Sequence, residues 1–171
     1  METRFIINED LYRSVIVPLA KAREFVWIGT ADIKDMHVEH AGGVKSFLAV
    51  LDALVRKGVD VRLLHAKDPG PNFRKSFDKY PLLWKRMERQ LCPRVHFKQV
   101  VMDGKWAYSG SANLTGAGLG MKAATTRNFE AGILSDDPEL VDQIMDQFDG
   151  VWMGSHCKAC KRRDYCGDPI V

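Results

Sequence analysis

The stretch VHFKQVVMDGKWAYSGSAN, residues 95–113, decides the fold. Asp103-Gly104 separates two segments rich in β-branched and aromatic residues, the strongest short-range signal for a hairpin with a two-residue turn. Such a turn pairs Met102 with Lys105, which sets Lys98 opposite Ser109 and His96 opposite Ser111. Side chains alternate faces along a strand, so these four residues are expected on one face, with paired Cβ atoms about 5 Å apart. Asn113 has the same parity just past the strand, and Gly110 is expected to leave space for an incoming group. An imidazole, an ammonium, a hydroxyl and an amide thus converge. Imidazole can serve as nucleophile and proton donor near neutral pH. A fixed ammonium and an amide N–H can hold phosphoryl oxygens as charge develops on them. A lone exposed histidine implies nothing of the kind; four role-matched groups do.

The spacing His96-x-Lys98-x4-Asp103-x6-Gly110-Ser111-x-Asn113 resembles the HKD signature of the phospholipase D superfamily. That resemblance implies that His96 attacks phosphorus, that Lys98 and Asn113 bind phosphoryl oxygens, and that Ser111 helps position the site. Asp103 falls at the turn, off the catalytic face. It reads as a structural residue whose side chain bonds nearby backbone. Further on, Asn128 and Glu130 resemble the family's N-x-E element, in which a carboxylate orients the histidine and fixes its tautomer.

A chain of 171 residues with 46% hydrophobic content suffices for one domain with a proper core. The formal net charge of +3 permits a polyanionic partner without demanding one. No apolar run approaches the roughly 18 residues of a membrane span. The N-terminal METRFIINEDLYRSV has acidic residues where a signal peptide needs a basic start, so a cytoplasmic location is expected.

Helical spacing of Leu11, Val15 and Leu19 predicts a first helix over Asp10–Arg23, capped by Asn8 and kinked or split at Pro18. The apolar run 24–30 predicts a strand covered on both faces. Residues 33–43 read as a loop whose His37, Glu39 and His40 are exposed polarity, with no matching third metal ligand nearby. An amphipathic helix is expected over Val44–Lys57, ended by Gly58, then a strand over 59–65. Strand, helix and strand imply a parallel crossover. The LDALVRKGVDVRLL run, residues 51–64, also resembles the superfamily's segment before its HKD strand.

From Lys67 to Arg94 the chain turns basic, with eight Lys and Arg against Asp68, Asp78 and Glu88. Two short helices are expected, Phe73–Tyr80 and Pro81–Leu91, with Phe73, Phe77, Tyr80 and Trp84 interleaved among the charges. This insert is either a nucleic-acid binding surface or a solvated helical face with ordinary core aromatics. Past the hairpin come a Gly-rich loop (114–127), a strand (128–135) and a final helix from Asp137-Pro138 to about Met153.

The tail, residues 156–171, follows the domain of residues 1–155. It holds Cys157-x2-Cys160-x5-Cys166, with Cys92 as the fourth cysteine of the chain. In a cytoplasmic protein such clustering favours metal over disulfides. Four thiolates suit a structural zinc or a 4Fe-4S cluster, and His156 could replace Cys92 around zinc. The arrangement also resembles the iron–sulfur cysteines of CRISPR-adaptation exonucleases.

The expected architecture is α/β, a mixed central sheet sandwiched by helices, as the superfamily resemblance implies. The leading function is nucleic-acid phosphodiesterase. A phospholipid (cardiolipin-type) hydrolase and a non-catalytic nucleic-acid binding module are the alternatives. The resemblance implies a phosphohistidine mechanism that needs no catalytic cofactor and uses two HKD motifs. This chain has one motif, so a homodimer sharing its site is expected.

Overall fold

The computed structural model describes every residue except 41, 42, 117, 119–124, 168, 169 and 171, and the side chains of residues 39 and 40 are likewise outside the description. The chain begins with β1 (Thr3–Ile7), a strand the sequence reading missed. The first helix is shorter than expected and built in three joined pieces: α1 (Glu9–Leu11), a π-helical turn (Tyr12–Ile16) and α2 (Val17–Leu19). Pro18 supplies the reason. It has no N–H, and its ring crowds the carbonyl four residues back, so the preceding turn widens and Val17 N–H bonds the Tyr12 carbonyl. Leu11, Val15, Ile16 and Leu19 stay buried as one stripe.

Then β2 (Phe25–Thr30) forms from the apolar run. Residues expected to form a loop instead make a hairpin of β3 (His37–His40) and β4 (Gly43–Ser46), and the next helix starts correspondingly later, as α3 (Phe47–Arg56). Asp35 marks that boundary, accepting the Ser46 hydroxyl at 2.8 Å and the Leu48 N–H at the helix start. Gly58, at φ +87, ends the helix and delivers the chain to β5 (Asp60–His65). The insert holds α4 (Pro71–Phe77) and α5 (Pro81–Arg86). The end expected to be helical is a strand, β6 (Glu88–Leu91), which pairs in parallel with β5 from Arg62↔Glu88 to His65↔Leu91. The rest is β7 (Lys98–Met102), β8 (Trp106–Gly110), β9 (Ala131–Ser135) and α6 (Pro138–Trp152). Asp137 caps α6 by accepting the N–H groups of Glu139 and Leu140.

The seven-stranded sheet runs β1-β9-β8-β7-β2-β5-β6, parallel at β2-β5-β6 and antiparallel elsewhere. One face carries Val26, Ile28, Val61, Leu63, Val100 and Tyr108 onto the first helices and α3. The other carries Val101 and Ala107 onto Val141 and Ile144 of α6, with Phe148 against Leu64 and Val95. This is the expected mixed sheet between helical layers. Its pattern of directions brings the ends of β1, β2, β5, β6 and β8 and the starts of β7 and β9 to one edge.

Candidate active site

The two-residue turn forms as expected. Asp103 and Gly104 both have positive φ (55° and 62°), and Lys105 N–H bonds the Met102 carbonyl at 2.9 Å. The ladder beyond it nevertheless pairs Met102 with Trp106, leaving Lys105 as an extra, bulged residue. Everything downstream shifts by one. Lys98 stands opposite Gly110, and Ser109 opposite Gln99, so Ser109 points to the face away from Lys98. The single four-residue catalytic face anticipated from the sequence does not exist. His96 and Ser111 lie just outside the strands instead, at the shared sheet edge.

Lys98 is buried at 8% exposure, and its Nζ donates to the His96 carbonyl at 2.7 Å. The ammonium thus crosses back over the segment that presents the imidazole. His96 itself is exposed, and its ring makes no hydrogen bond among the described residues. Asn113 is held through Oδ1, which accepts the Asp32 N–H at 3.2 Å and lies 3.4 Å from the Thr30 hydroxyl. With Oδ1 occupied, the amide N–H groups are the ones left for a ligand. Ser111 continues the β8–β9 ladder, its N–H bonding the Ala131 carbonyl at 3.0 Å. Its hydroxyl meets the Glu130 carboxylate and accepts the Ala131 N–H.

Glu130 also accepts from the Asn128 amide at 3.2 Å. Its carboxylate engages Ser111 and Asn128 rather than an imidazole. Its backbone is clamped from β1: Asn8 N–H bonds the Glu130 carbonyl at 3.0 Å, and the Asn8 side chain accepts the Glu130 N–H at 3.2 Å. Asn8 was expected to cap the first helix; its side chain makes no capping bond there. Thr30, Asp32 and Asn8 are the site residues that sequence reading missed. The available signal was that Thr30 closes a buried strand with a polar residue.

Gly110 does not open space for a ligand. A Cβ there would lie 2.3 Å from the Tyr108 hydroxyl and 2.5 Å from the Ala131 carbonyl. Its cross-strand partner Gly132 is equally tight, 2.3 Å from the Tyr108 ring. The glycine pair is a slot for Tyr108, which is 2% exposed and whose hydroxyl accepts the Ala112 N–H. Burial pushes the Tyr108 hydroxyl up to about 12, keeping it neutral.

Asp103 sits at the opposite edge. Its carboxylate accepts the N–H groups of Arg23, Glu24 and Phe25, where β2 begins. Partial burial would raise its pKa, but those three bonds and Lys105 outweigh burial and hold it below the usual carboxylate value.

With this arrangement in view, a family model described as cardiolipin synthase, PLD-like domain, matches residues 15–152. The chain belongs to the PLD-like family. Solved structures share the fold. NucT from Helicobacter pylori superposes with a TM-score of 0.65 at 17% identity, covering 89% of this chain and 97% of that one. Nuc from Salmonella typhimurium, a phospholipase D family member, gives 0.62 at 15% identity, covering 89% and 95%. The archaeal chromatin protein TrmBL2 gives 0.61 at 13% identity, covering 90% of this chain and 53% of its own length. No curated protein matches the sequence.

Three of the four cysteines lie beyond the residues matched to the PLD-like model. All four, with His156, line one cavity of about 320 Å³ beside the loop that leads to His96. Among the described residues no group of three or more His, Cys, Asp or Glu side chains is placed to hold a metal ion. The Cys160 thiol is held below its ordinary value by the Arg162 N–H, with Arg94 and Arg163 adding to the effect. The loop motif His37, Glu39 and His40 lies on β3, and the side chains of Glu39 and His40 are outside the described residues, as is much of the Gly-rich 114–127 loop.

Of the insert's aromatics, Phe73 and Phe77 are core residues and Tyr80 packs partly against them, leaving Trp84 at 58% exposure. Arg74 and Arg86 donate to the carbonyls of Pro69 and Val55, and Arg89 lies over the Phe77 ring. The insert therefore reads mainly as structure.

Proposed function

We propose that this PLD-like chain is a phosphodiesterase that cleaves nucleic acid through a phosphohistidine, in a site shared by two copies of the chain. The observation carrying this reading is the state of Lys98. A buried ammonium with no ion pair among the described residues, only the His96 carbonyl as partner, is costly unless an anion is to arrive. The His96 imidazole stands on the tether of that same ammonium.

In the reaction, the neutral His96 imidazole attacks phosphorus. A P–N bond forms and the P–O bond to the leaving group breaks. The imidazolium of His96 from the partner copy gives its proton to the leaving oxygen. That imidazole, now neutral, takes a proton from water, whose oxygen attacks phosphorus and releases the first histidine. Lys98 and Asn113 hold the non-bridging oxygens through both steps, the charge stabilisation a divalent ion supplies in other nucleases. Ser111 and Glu130 fix the floor beneath them. Activity therefore has a bell-shaped pH dependence, since one imidazole must be neutral and the other protonated.

An uncovered part of the sheet supports the shared site. On the face that α6 covers at its centre, the paired residues Phe5 and Ile133 are 74% and 43% exposed, and Ile7 is 44% exposed. Phe129 lies close by in sequence at 91%. A sheet face this apolar needs a covering layer, and it ends at the edge where Glu130 and Ser111 lie. In this proposal a second copy covers the patch across a two-fold axis and supplies the second His96.

Nucleic acid is favoured by the exposed Arg94, two residues before His96, and by Arg162 and Arg163, which line the neighbouring cavity with it. TrmBL2, which shares the fold, is described as binding DNA. No described helix is long and apolar enough to cross a membrane. The test uses purified protein with EDTA on labelled DNA, labelled RNA and anionic lipid vesicles, beside His96→Ala. Nucleic-acid cleavage that His96→Ala abolishes is the expected result. Cleavage confined to lipid, or cleavage unaffected by His96→Ala, overturns the reading.

A further inference from the structure

We infer that Cys92, Cys157, Cys160 and Cys166 bind one zinc ion, which fastens the tail to the segment presenting His96. The first argument is convergence. The chain has four cysteines, and two stretches far apart in sequence bring every one to the wall of the same cavity, with all four thiols unbridged. The Cys166 sulfur lies 3.7 Å from the carbonyl of Leu91, the residue next to Cys92, so the two most distant cysteines of the set are neighbours in space.

The second argument is local geometry. Cys160 N–H bonds the Cys157 carbonyl at 3.1 Å, closing the Cys-x2-Cys segment into a turn. Arg162 N–H then points at the Cys160 sulfur from 3.4 Å. A backbone N–H directed at a ligating sulfur is an outer hydrogen bond of the kind that holds a metal ligand in place. Four thiolates around a divalent zinc sum to two negative charges, and Arg94, Arg162 and Arg163 line the same cavity to offset them.

The third argument is stability. No described residue beyond Phe148 is buried, and the regular structure among the tail's described residues is a three-residue 3-10 turn, Arg163–Tyr165. Such a segment lacks the apolar burial to hold a fixed place. Thiolate–zinc bonds provide what the missing core does not, and drawing the thiols from the cavity wall into a tetrahedron is the work that binding does. Zinc is favoured over an iron–sulfur cluster because all four cysteines are partly solvent-exposed and a single ion needs no enclosed chamber.

The experiment is metal analysis of the freshly purified full chain, with thiol counting on the native protein before and after a strong chelator. One zinc per chain is expected, with the four thiols protected until the chelator removes the ion. His156→Ala should keep the zinc, while Cys157→Ser with Cys160→Ser should lose it and open residues 154–167 to protease. Because a cysteine variant can fail to fold, the native stoichiometry and thiol protection stand as the deciding readouts. Protein free of metal with four reactive thiols overturns the inference, as does iron in place of zinc, a disulfide, or zinc lost from His156→Ala alone. None of these readouts depends on phosphodiesterase activity.

Discussion

The carboxylate of Asp103 accepts the N–H of Glu24 at 2.8 Å, joining the tip of the β7–β8 hairpin to the start of β2 across 79 residues of sequence. The letter that completes the HKD spacing is thus a clasp at the edge opposite the chemistry. Asp103→Ala should destabilise the fold by about 1 kcal/mol near neutral pH, a modest figure because the tip is partly exposed. Cleavage per folded molecule should be unchanged. The folded pKa of Asp103 lies below its unfolded value. Its contribution is therefore complete above the unfolded pKa of about 4 and disappears as pH falls through the folded value. Urea unfolding of wild type and Asp103→Asn across that range should converge at the acid end.

Gly110→Ala should destabilise by about 1–3 kcal/mol, since the added methyl meets a tyrosine hydroxyl and a strand carbonyl together. Gly150→Ala, in α6 with nothing within 4 Å, is the matched control and should be neutral or stabilising by up to about 1 kcal/mol. Thermal melts compare the two. Equal effects would mean that the tyrosine slot is not tight.

Lys98→Met should separate stability from activity. It removes a buried charge that has no ion pair among the described residues while keeping the length of the side chain, so the midpoint should rise by roughly 2–4 °C, the shift expected for about 1 kcal/mol at this size. Cleavage should vanish. A lower midpoint would show that the bond from Nζ to the His96 carbonyl stabilises more than the buried charge costs.

If the proposed dimer forms through this face, Phe5→Asp with Ile133→Asp should yield a folded monomer without phosphodiesterase activity, where wild type sediments as a dimer. In mixtures of wild type and His96→Ala, a heterodimer has one imidazole where two are needed, so activity should follow the fraction of wild-type homodimers. Heterodimers retaining half the wild-type rate would place a complete site in each subunit.

The hairpin, the β2-α3-β5 crossover and α6 were legible because each carries a local signal: a turn dipeptide, a period of 3.6, or a proline after a cap. The motif names the residue types of the candidate site, but the hairpin register that arranges them was not legible. The bulge at Lys105 is one residue long and leaves no mark on an alternating pattern, yet it turns Ser109 away from Lys98. β1 and β6 escaped notice because stretches of four or five residues become strands only by pairing with partners the sequence cannot name locally. Asn8 reads as a helix cap from its neighbours, whereas its use, clamping Glu130, depends on a contact 122 residues away.

That dependence on β1 has a consequence for synthesis. Thr3 pairs with Ser135 and Ile7 with Ala131, so β1 is made long before the strand it pairs with. Until residue 135 leaves the ribosome, Phe5 and Ile7 wait with open backbone N–H and C=O groups, and Glu130 lacks its clamp. The nascent chain is thus most exposed to edge-to-edge association over this interval. The floor of the reaction site is assembled only when the two ends of the sheet's sequence meet.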